Sequence, residues 1–471
     1  MLKCLEKRLL QFPLVVENPT VSDALREIGG PSLSALGRLR EAVAPALQSL
    51  VDRETGTVRA AARTGFQGRD PTNYDAAWVR DAVWAALAEE SASVRSKTLN
   101  WIASYFRSSS QQERLLGLIR HPELYGLGRS KMLVPHIRFD SSSKDFADVQ
   151  ENGRPQEWNH KQNDALGMFL RAFAGQADVR DPNAVTVIAL LSAYLGRIAV
   201  FDQEDSGMWE EIERHNVSSK LMALAGLRGA LTWIEKRLGG HEWNRFVEEK
   251  SVLWDVPALA EAASVRSLHA AVEYGTRVVR RDFLNGESGS YGVGDPRRRT
   301  SDAALLSVLY PFSDLEMDVS SLKRVIGFVI PLIRERGIIR YCGDAYQARG
   351  FWSETQAATT DHSDLGAFTS RGSSLRWGDE AQWFFDSWLS AGLSRFVRAS
   401  ARDAYERETA LRCAWLALQR AVAQITPQYE CPESYNVVSE AVFTPSPICP
   451  LEWAKASLRL AFSEMGKIYG V

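Results

Sequence analysis

The sequence predicts an all-α protein in which about a dozen amphipathic helices form two concentric rings. Three observations support this fold class. Apolar residues recur every three or four positions in many segments, and no regular series of alternating apolar and polar residues indicates a sheet. No repeat of roughly 34 or 40 residues indicates a solenoid. Amphipathic helices that do not stack as repeats can bury their apolar faces in a closed double ring of inner and outer helices.

The helical period is clearest in three segments of the chain. Their apolar positions, in chain order, are Leu33, Leu36, Leu39, Val43, Leu47 and Leu50; Leu221, Leu224, Leu227, Leu231, Ile234 and Leu238; and Leu411, Trp415, Leu418, Val422 and Ile425. Similar stretches lie near 76–90, 93–107, 162–175, 184–201, 256–281, 316–336, 379–398 and 450–465. Each stretch has one apolar face, which predicts a helix packed on that face.

Charge and composition are those of an ordinary globular protein. The chain has 56 basic and 58 acidic residues among 471, a net charge of −2, so neither a nucleic-acid partner nor a membrane partner is indicated. No linker or low-complexity block divides the chain. We therefore expect an amino-terminal extension over residues 1–30 and a single domain over residues 31–471.

Cysteine and histidine usage predicts neither a metal nor a cofactor. The five cysteines are scattered, without a CxxC pair, and the seven histidines show no metal-ligand spacing. The first residues lack the apolar segment and small cleavage-site residues of a secretory signal. These features together predict a cytoplasmic protein.

Three long polar segments, near 137–160, 283–301 and 342–378, separate the predicted helices. Loops of this length inside a compact domain are usually functional. Their aromatic and charged residues include Trp158, Tyr291, Arg340, Tyr341, Asp344, Tyr346, Trp352 and Trp377. Aromatic rings stack on the C–H faces of sugars, and charged groups bind sugar hydroxyls, so these segments favour a sugar-binding face at one end of the ring.

Five short motifs carry the candidate chemistry. In chain order they are Ala77-Trp78-Val79-Arg80-Asp81; Gly153-Arg154-Pro155-Gln156 followed by Gln162-Asn163-Asp164; Gly207-Met208-Trp209-Glu210-Glu211 followed by Asn216; Arg340-Tyr341 with Asp344 and Tyr346; and Cys431-Pro432-Glu433-Ser434-Tyr435-Asn436. In this order the motifs resemble the family 15 glycoside hydrolases, which include the glucoamylases, and the related amino-terminal domains of phosphorylase kinase α and β subunits. The resemblance implies an (α/α)6 barrel.

The resemblance also implies roles for individual residues. In the family, the first glutamate of the Trp-Glu-Glu element is the general acid and the glutamate of the last motif is the general base, which implies Glu210 and Glu433 as the catalytic pair. The implied substrate-binding residues are Trp78, Arg80, Asp81, Trp158, Trp209, Glu211, Arg340, Asp344 and Trp377. The residues alone do not choose between Glu210 and Glu211, because adjacent residues do not share a helix face. The acidic run to which they belong is also typical of a solvated helix cap.

The implied reaction is inverting hydrolysis of a terminal α-linked glucose by an exo-acting α-glucosidase, with soluble maltodextrin or a related α-glucan as substrate. An inverting enzyme needs one protonated and one ionised carboxyl, about 6.5–9.5 Å apart. Glu210, beside Trp209, is expected to have a raised pKa and to donate the proton. Glu433 is expected to stay ionised near polar groups and to activate water.

Two other classes of function remain open. A glucan-sensing or regulatory barrel would bind oligosaccharide without turnover, and a protein-interaction scaffold would bind no sugar. One departure from the family bears on the choice: Gly207 stands where glucoamylases usually have an aspartate, two residues before the tryptophan of the Trp-Glu-Glu element. A substrate contact at this position is therefore expected to be lost.

Overall fold

The computed structural model describes residues 1–62, 74, 76–128, 130–312, 318–349, 365–376, 378–399 and 404–471. Its helices are α1 (Leu2–Gln11), α2 (Pro19–Glu27), α3 (Leu33–Ala42), α4 (Val79–Ala88), α5 (Ala92–Phe106), α6 (Ser109–Arg120), α7 (Asn163–Ala174), α8 (Pro182–Arg197), α9 (Val217–Trp233), α10 (Gly240–Leu253), α11 (Pro257–Ala263), α12 (Val265–Phe283), α13 (Val319–Val329), α14 (Leu365–Ser374), α15 (Phe385–Ala399), α16 (Ala404–Ala423) and α17 (Glu452–Gly466). The strands are β1 (Ala77–Trp78), β2 (Arg138–Phe139), β3 (Gln150–Glu151), β4 (Arg154–Pro155), β5 (Gln382–Trp383), β6 (Ser434–Ser439) and β7 (Val442–Pro445).

The inner helices form a closed ring. Helix α4 packs against α7, α7 against α9, and α9 against a 3₁₀ helix at Ala303–Val308. This 3₁₀ helix contacts α15, α15 contacts α17, and α17 returns to α4. Glu452 at the start of α17 also holds the segment that precedes the ring, because its carboxylate accepts a hydrogen bond of 2.8 Å from the backbone N–H of Leu50.

A second layer of helices surrounds this ring. Helix α5 packs on α4 and α7, α8 on α7 and α9, and α12 on α9. Helix α13 packs on the 3₁₀ helix, α16 on α15 and α17, and α3 on α17. The predicted double ring of inner and outer helices, an (α/α)6 barrel, is therefore confirmed.

Burial differs between the two layers because their surroundings differ. Inner helix α9 is buried on nearly all faces, whereas outer helix α12 buries only a stripe that includes Leu268, Val279 and Phe283. Gly167 of α7 and Gly226 of α9 let these two inner helices approach closely. A Cβ on Gly167 would lie 2.3 Å from the backbone oxygen of Met222, so a larger residue would force the helices apart.

The amino-terminal residues pack on the barrel. Helix α1 buries Leu2, Leu5 and Leu9 and contacts α16 and α13. The predicted boundary near residue 30 stays a prediction. Among the described residues, the helices all lack the combination of length and apolar character that crossing a bilayer requires. A cytoplasmic location likewise stays a prediction.

Short antiparallel sheets stand just before the first turns of two inner helices. Strands β1 and β2 pair in front of α4, and β5, β6 and β7 form a three-stranded sheet in front of α15. These strands bring distant segments to the end of the ring at which α4, α15 and α17 begin. Side chains from β1, β5, α4 and α17, together with Glu433 directly before β6, line one pocket there.

Candidate active site

The pocket at this end of the barrel has an empty volume of about 600 Å³, its open mouth included. Its lining consists of Tyr74, Trp78, Arg80, Asp81, Trp158, Met208, Trp209, Glu210, Arg340, Tyr346, Trp383, Glu433, Leu451 and Trp453. The two glutamates predicted as the catalytic pair thus line the same pocket, although they lie far apart in the sequence.

Glu210 occupies a tight turn directly after a short 3₁₀ helix at Gly207–Trp209. Its backbone is left-handed, with φ 60° and ψ 34°, a conformation that is strained for a residue with a side chain. The indole Nε1 of Trp158 donates a 2.6 Å hydrogen bond to one carboxylate oxygen, and Nη1 of Arg80 lies 3.5 Å from the other. Burial raises the pKa of Glu210 above its ordinary value, as predicted, although Arg80 and Arg138 favour the ionised form.

Glu211 points away from the pocket. It is predicted to bind substrate, but its side chain is 1% exposed and does not line the pocket. The left-handed turn at Glu210 sends these two neighbouring side chains in different directions. The carboxylate of Glu211 accepts hydrogen bonds from Arg340 at 3.0 Å, Arg299 at 3.0 Å, Arg214 at 3.2 Å and the hydroxyl of Tyr341. Glu211 therefore holds the wall of the pocket rather than facing a ligand.

Asp344 has a similar supporting position. It too is predicted to bind substrate, but it is fully buried outside the pocket lining. Its two carboxylate oxygens accept hydrogen bonds from Nε and Nη2 of Arg340 at 2.6 and 2.7 Å. A bidentate pair of this kind fixes the guanidinium plane. The Nη1 group of Arg340 makes no hydrogen bond within the described residues, so it is the donor that Arg340 has left for a ligand.

Glu433 lies directly before β6 and is surrounded by hydrogen-bond donors. The hydroxyls of Tyr74 and Tyr346 donate to its carboxylate at 2.7 and 3.3 Å, and the amide Nε2 of Gln347 donates as well. Polar neighbours are thus present as predicted, and the ionised state of Glu433 stays a prediction. Burial outweighs the donors and raises the pKa of Glu433 to about 7.

Arg80 and Asp81 lie in the first turn of α4 and face the pocket together. Arg80 is held by Asp164 at 2.7 Å and by the side-chain oxygen of Gln162 at 2.6 Å. Asp81 is 5% exposed, and no side chain of the described residues donates a hydrogen bond to its carboxylate. Burial, together with the charges of Glu210 and Glu433, raises the pKa of Asp81 to about 8 against the influence of Arg80. A pocket carboxyl to which no side chain of the described residues donates is suited to bind a ligand hydroxyl.

Aromatic side chains form most of the remaining wall. Trp78 stacks on Tyr74 with ring centroids 4.9 Å apart and meets Trp158 edge-on at 6.4 Å. The ring of Trp209 packs near Trp453 at 6.4 Å. The indole N–H of Trp209 donates to Asp302 at 2.9 Å. The predicted site residue Trp377 lies outside the described residues.

Sequence reasoning missed several residues of the pocket. Trp453 follows Leu451 in the Pro-Leu-Glu-Trp stretch, and Tyr346 ends the Arg340 motif, so both had a local signal. Tyr74, Gln347 and Trp383 belong to no recognised motif. They reach the site only because separate loops and strands converge there.

The structure explains the glycine that departs from the family pattern. Gly207 has φ +62°, and a Cβ at this position would lie 2.7 Å from the side-chain nitrogen of Asn216. That nitrogen donates to the carboxylate of Asp205 at 2.9 Å, so it is not free to move. An aspartate at position 207 would therefore collide with a fixed side chain.

A double ring of helices with two glutamates, Glu210 and Glu433, lining one pocket is an arrangement suited to acid–base cleavage of a glycosidic bond. Residues 41–256 match the family described as glycosyl hydrolases family 15. This match confirms the relation to that family that the motifs predict.

Individual proteins that resemble this chain include one curated relative and several solved structures. The uncharacterized lipoprotein YgeQ of Escherichia coli (strain K12) is 38% identical over 147 residues, which cover 29% of this chain and 56% of that protein. The chain thus spans little more than half the length of this curated relative. A solved wild-type glycosidase has the same fold with a TM-score of 0.57 and 18% identity, over 93% of this chain and 99% of that one. A glucoamylase from Saccharomycopsis fibuligera has the same fold with a TM-score of 0.53 and 13% identity, over 94% of this chain and 98% of that one.

Proposed function

We propose that the protein is an inverting, exo-acting α-glucosidase that removes terminal glucose from soluble maltodextrin or a related α-glucan. One observation carries the proposal: Glu210 and Glu433 line the same pocket, next to Arg80 and Asp81. The family match of residues 41–256 supports the same class of reaction.

In the proposed reaction the two glutamates act on opposite sides of the sugar. Glu210 gives its proton to the glycosidic oxygen as the bond from this oxygen to the anomeric carbon breaks. Glu433 takes a proton from a water molecule, whose oxygen bonds to the anomeric carbon from the other face. The product is β-glucose, and one further proton exchange with solvent returns both carboxyls to their starting states. The reaction consumes only water and substrate.

The remaining pocket residues are proposed to hold the terminal glucose. The carboxyl of Asp81 and Nη1 of Arg340 are suited to bind sugar hydroxyls, because among the described residues no side chain donates to this carboxyl and no acceptor is bound to this nitrogen. The rings of Trp78 and Trp158 offer faces for the C–H groups of the sugar. Trp209 contributes to the same wall. These contacts would orient the anomeric carbon between the two glutamates.

Exo action is supported by the filled centre of the barrel. Inside the inner ring Trp84 contacts Trp388 at 5.3 Å and Trp453 at 6.2 Å, and both Trp84 and Trp388 are buried. A glucan chain has no passage through this aromatic core. It would therefore enter from the mouth of the pocket with its end first.

Incubation with maltotetraose distinguishes this enzyme from a glucan sensor. Proton NMR is expected to detect β-glucose first, followed by slow mutarotation to the α anomer, because inversion places the new hydroxyl on the opposite face. Release of α-glucose first would contradict the inverting mechanism. Sugar-induced quenching of tryptophan fluorescence without any glucose release would favour the sensor, and the absence of both signals would favour a protein-interaction scaffold.

The raised pKa of Glu433 predicts where activity is lost on the acid side. A base must be ionised to accept a proton, so kcat/KM is expected to fall as the pH drops through about 7, rather than near 4.3 as for an ordinary glutamate. A pH profile of kcat/KM with maltose measures this. Tyr74→Phe removes a donor that stabilises the ionised form, so it is expected to move the acid limb to still higher pH. An acid limb near pH 4 in the unaltered protein would contradict the assignment.

A further inference from the structure

Arg138 is a buried cation that lies between two tryptophans of the pocket. It is 1% exposed and pairs in β2 with Trp78 of β1. Its guanidinium carbon lies 3.9 Å from the ring centroid of Trp158 and 5.2 Å from that of Trp78. Both distances are within the range of cation–π attraction. Arg138 is not part of any of the motifs and does not itself line the pocket.

The hydrogen bonding of Arg138 is incomplete. Its Nη2 donates to the side-chain oxygen of Gln156 at 2.6 Å. Its Nε and Nη1 are buried without a hydrogen-bond partner in the described part of the chain, and no carboxylate there forms an ion pair with it. A buried guanidinium without a carboxylate is costly, and the tryptophan rings offset only part of that cost. Such an arrangement suggests that the charge serves a purpose other than stability.

That purpose is connected with Glu210 through Trp158. The ring of Trp158 rests on the guanidinium of Arg138, while its Nε1 donates to Glu210 at 2.6 Å. Trp158 therefore links the two groups, with Arg138 over its ring and Glu210 at its N–H. The positive charge of Arg138 also acts on Glu210 directly and favours its ionised form.

We propose that Arg138 is a positioning residue for Glu210, the proposed general acid: its guanidinium holds the Trp158 indole in the orientation that directs the indole N–H at the Glu210 carboxylate. The proposal rests on the proposed function, because it assigns a partner to the acid of that reaction.

Several charged groups face Glu210, and they come from different elements. Arg80 and Asp81 come from α4, Arg138 from β2 and Asp164 from α7. Two are cations and two are acids. Without Arg138, one of these two cations no longer opposes the two acids and the burial. The pKa of Glu210 is then expected to rise further.

Three variants test this proposal: Arg138→Gln, Arg138→Lys and the control Arg420→Gln. Arg138→Gln is expected to lower kcat roughly tenfold, because the acid is misplaced, with a smaller change in KM. It is also expected to move the basic limb of the pH profile up by about one pH unit, since an acid that keeps its proton longer fails at higher pH. Arg138→Lys should keep the basic limb in place but recover only part of kcat, because an ammonium does not stack as a plane.

The control concerns another buried arginine. Arg420 is 4% exposed, is paired with Asp386 at 2.8 Å and does not line the pocket. Arg420→Gln therefore reports what the loss of a buried arginine does to stability alone, and the pH profile of the folded variant should match that of the unaltered protein. A folded Arg138→Gln with an unchanged kcat and basic limb would overturn the proposal. If that variant does not fold, an unchanged kcat in Arg138→Lys would overturn it.

A measurement without substrate separates this proposal from the proposed function. The indole N–H resonance of Trp158, assigned with Trp158→Phe in protein that contains ¹⁵N-labelled tryptophan, should titrate with Glu210 in the unliganded protein. In Arg138→Gln its midpoint is expected at higher pH, and an identical titration would overturn the proposal. If the unaltered protein released no glucose from maltotetraose, the proposed function would fail while this titration would still test the link between Arg138 and Glu210.

Discussion

Glu210→Gln is expected to lower kcat for maltose by a factor between about a hundred and ten thousand, the range typical of losing a general acid. Glutamine fills the same space and can still accept the hydrogen bond from Trp158, but it has no proton to give to the leaving oxygen. The measurement is kcat and KM for maltose, together with thermal denaturation to show that the variant is folded. KM is expected to change much less than kcat.

The leaving group provides the sharpest control for this prediction. The fluoride ion of α-glucosyl fluoride leaves without being protonated. Glu210→Gln should therefore hydrolyse this substrate far better than it hydrolyses maltose. Glu213→Gln serves as the matched variant, because Glu213 belongs to the same acidic run but pairs with Lys161 and does not line the pocket. An equal loss on both substrates would argue against the role of Glu210 as a proton donor.

Glu433→Gln is expected to reduce turnover of both maltose and α-glucosyl fluoride, again by a factor between about a hundred and ten thousand. Water must lose a proton whichever group leaves, so the loss of the base cannot be relieved by a better leaving group. The rates on the two substrates, measured side by side, form the test. The contrast with Glu210→Gln assigns the two roles separately.

A matched control for the base is available in the turn that joins β6 to β7. Glu440 is exposed and outside the pocket, so Glu440→Gln should have the rates of the unaltered protein. Unimpaired hydrolysis by a folded Glu433→Gln would rule out Glu433 as the base. Sugar binding, followed by tryptophan fluorescence, should persist in this variant because Asp81 and Arg340 are untouched.

The barrel could be predicted because helical periodicity is a local property. Apolar stripes at three- and four-residue spacing reveal each outer helix, and α12 buries the stripe that such a pattern predicts. The order in which the inner helices meet is different. The contact between α4 and α17 joins segments near opposite ends of the chain, and no local pattern records it.

The site could be predicted only where a motif marked it. Glu210, Glu433, Arg80 and Arg340 all belong to short motifs, and all line the pocket. The direction of Glu211 depends on one left-handed residue, and residue types do not reveal a backbone angle.

The raised pKa of Glu433 could not be predicted from the sequence for a related reason. The donors around Glu433 come from Tyr74, Tyr346 and Gln347, on separate stretches of chain. Their distances, and the burial that opposes them, exist only in the folded protein. Arg138 could not be predicted for the same reason, because the role proposed for it depends on its contacts with Trp78 and Trp158 in the folded protein.

The closure of the inner ring by its first and last helices has a consequence for biosynthesis. Glu452 of α17 bonds to Ser49, 403 residues earlier in the chain, and Glu433 is translated only shortly before α17. A nascent chain that still lacks this stretch contains Glu210 but not Glu433. The apolar faces of α4 and α15 that pack on α17 are then exposed. Contacts between segments so distant in the sequence form slowly, and the folding intermediates that lack them are prone to aggregation. The inner ring is therefore expected to close only after α17 has left the ribosome, and until then the growing chain is expected to need chaperones.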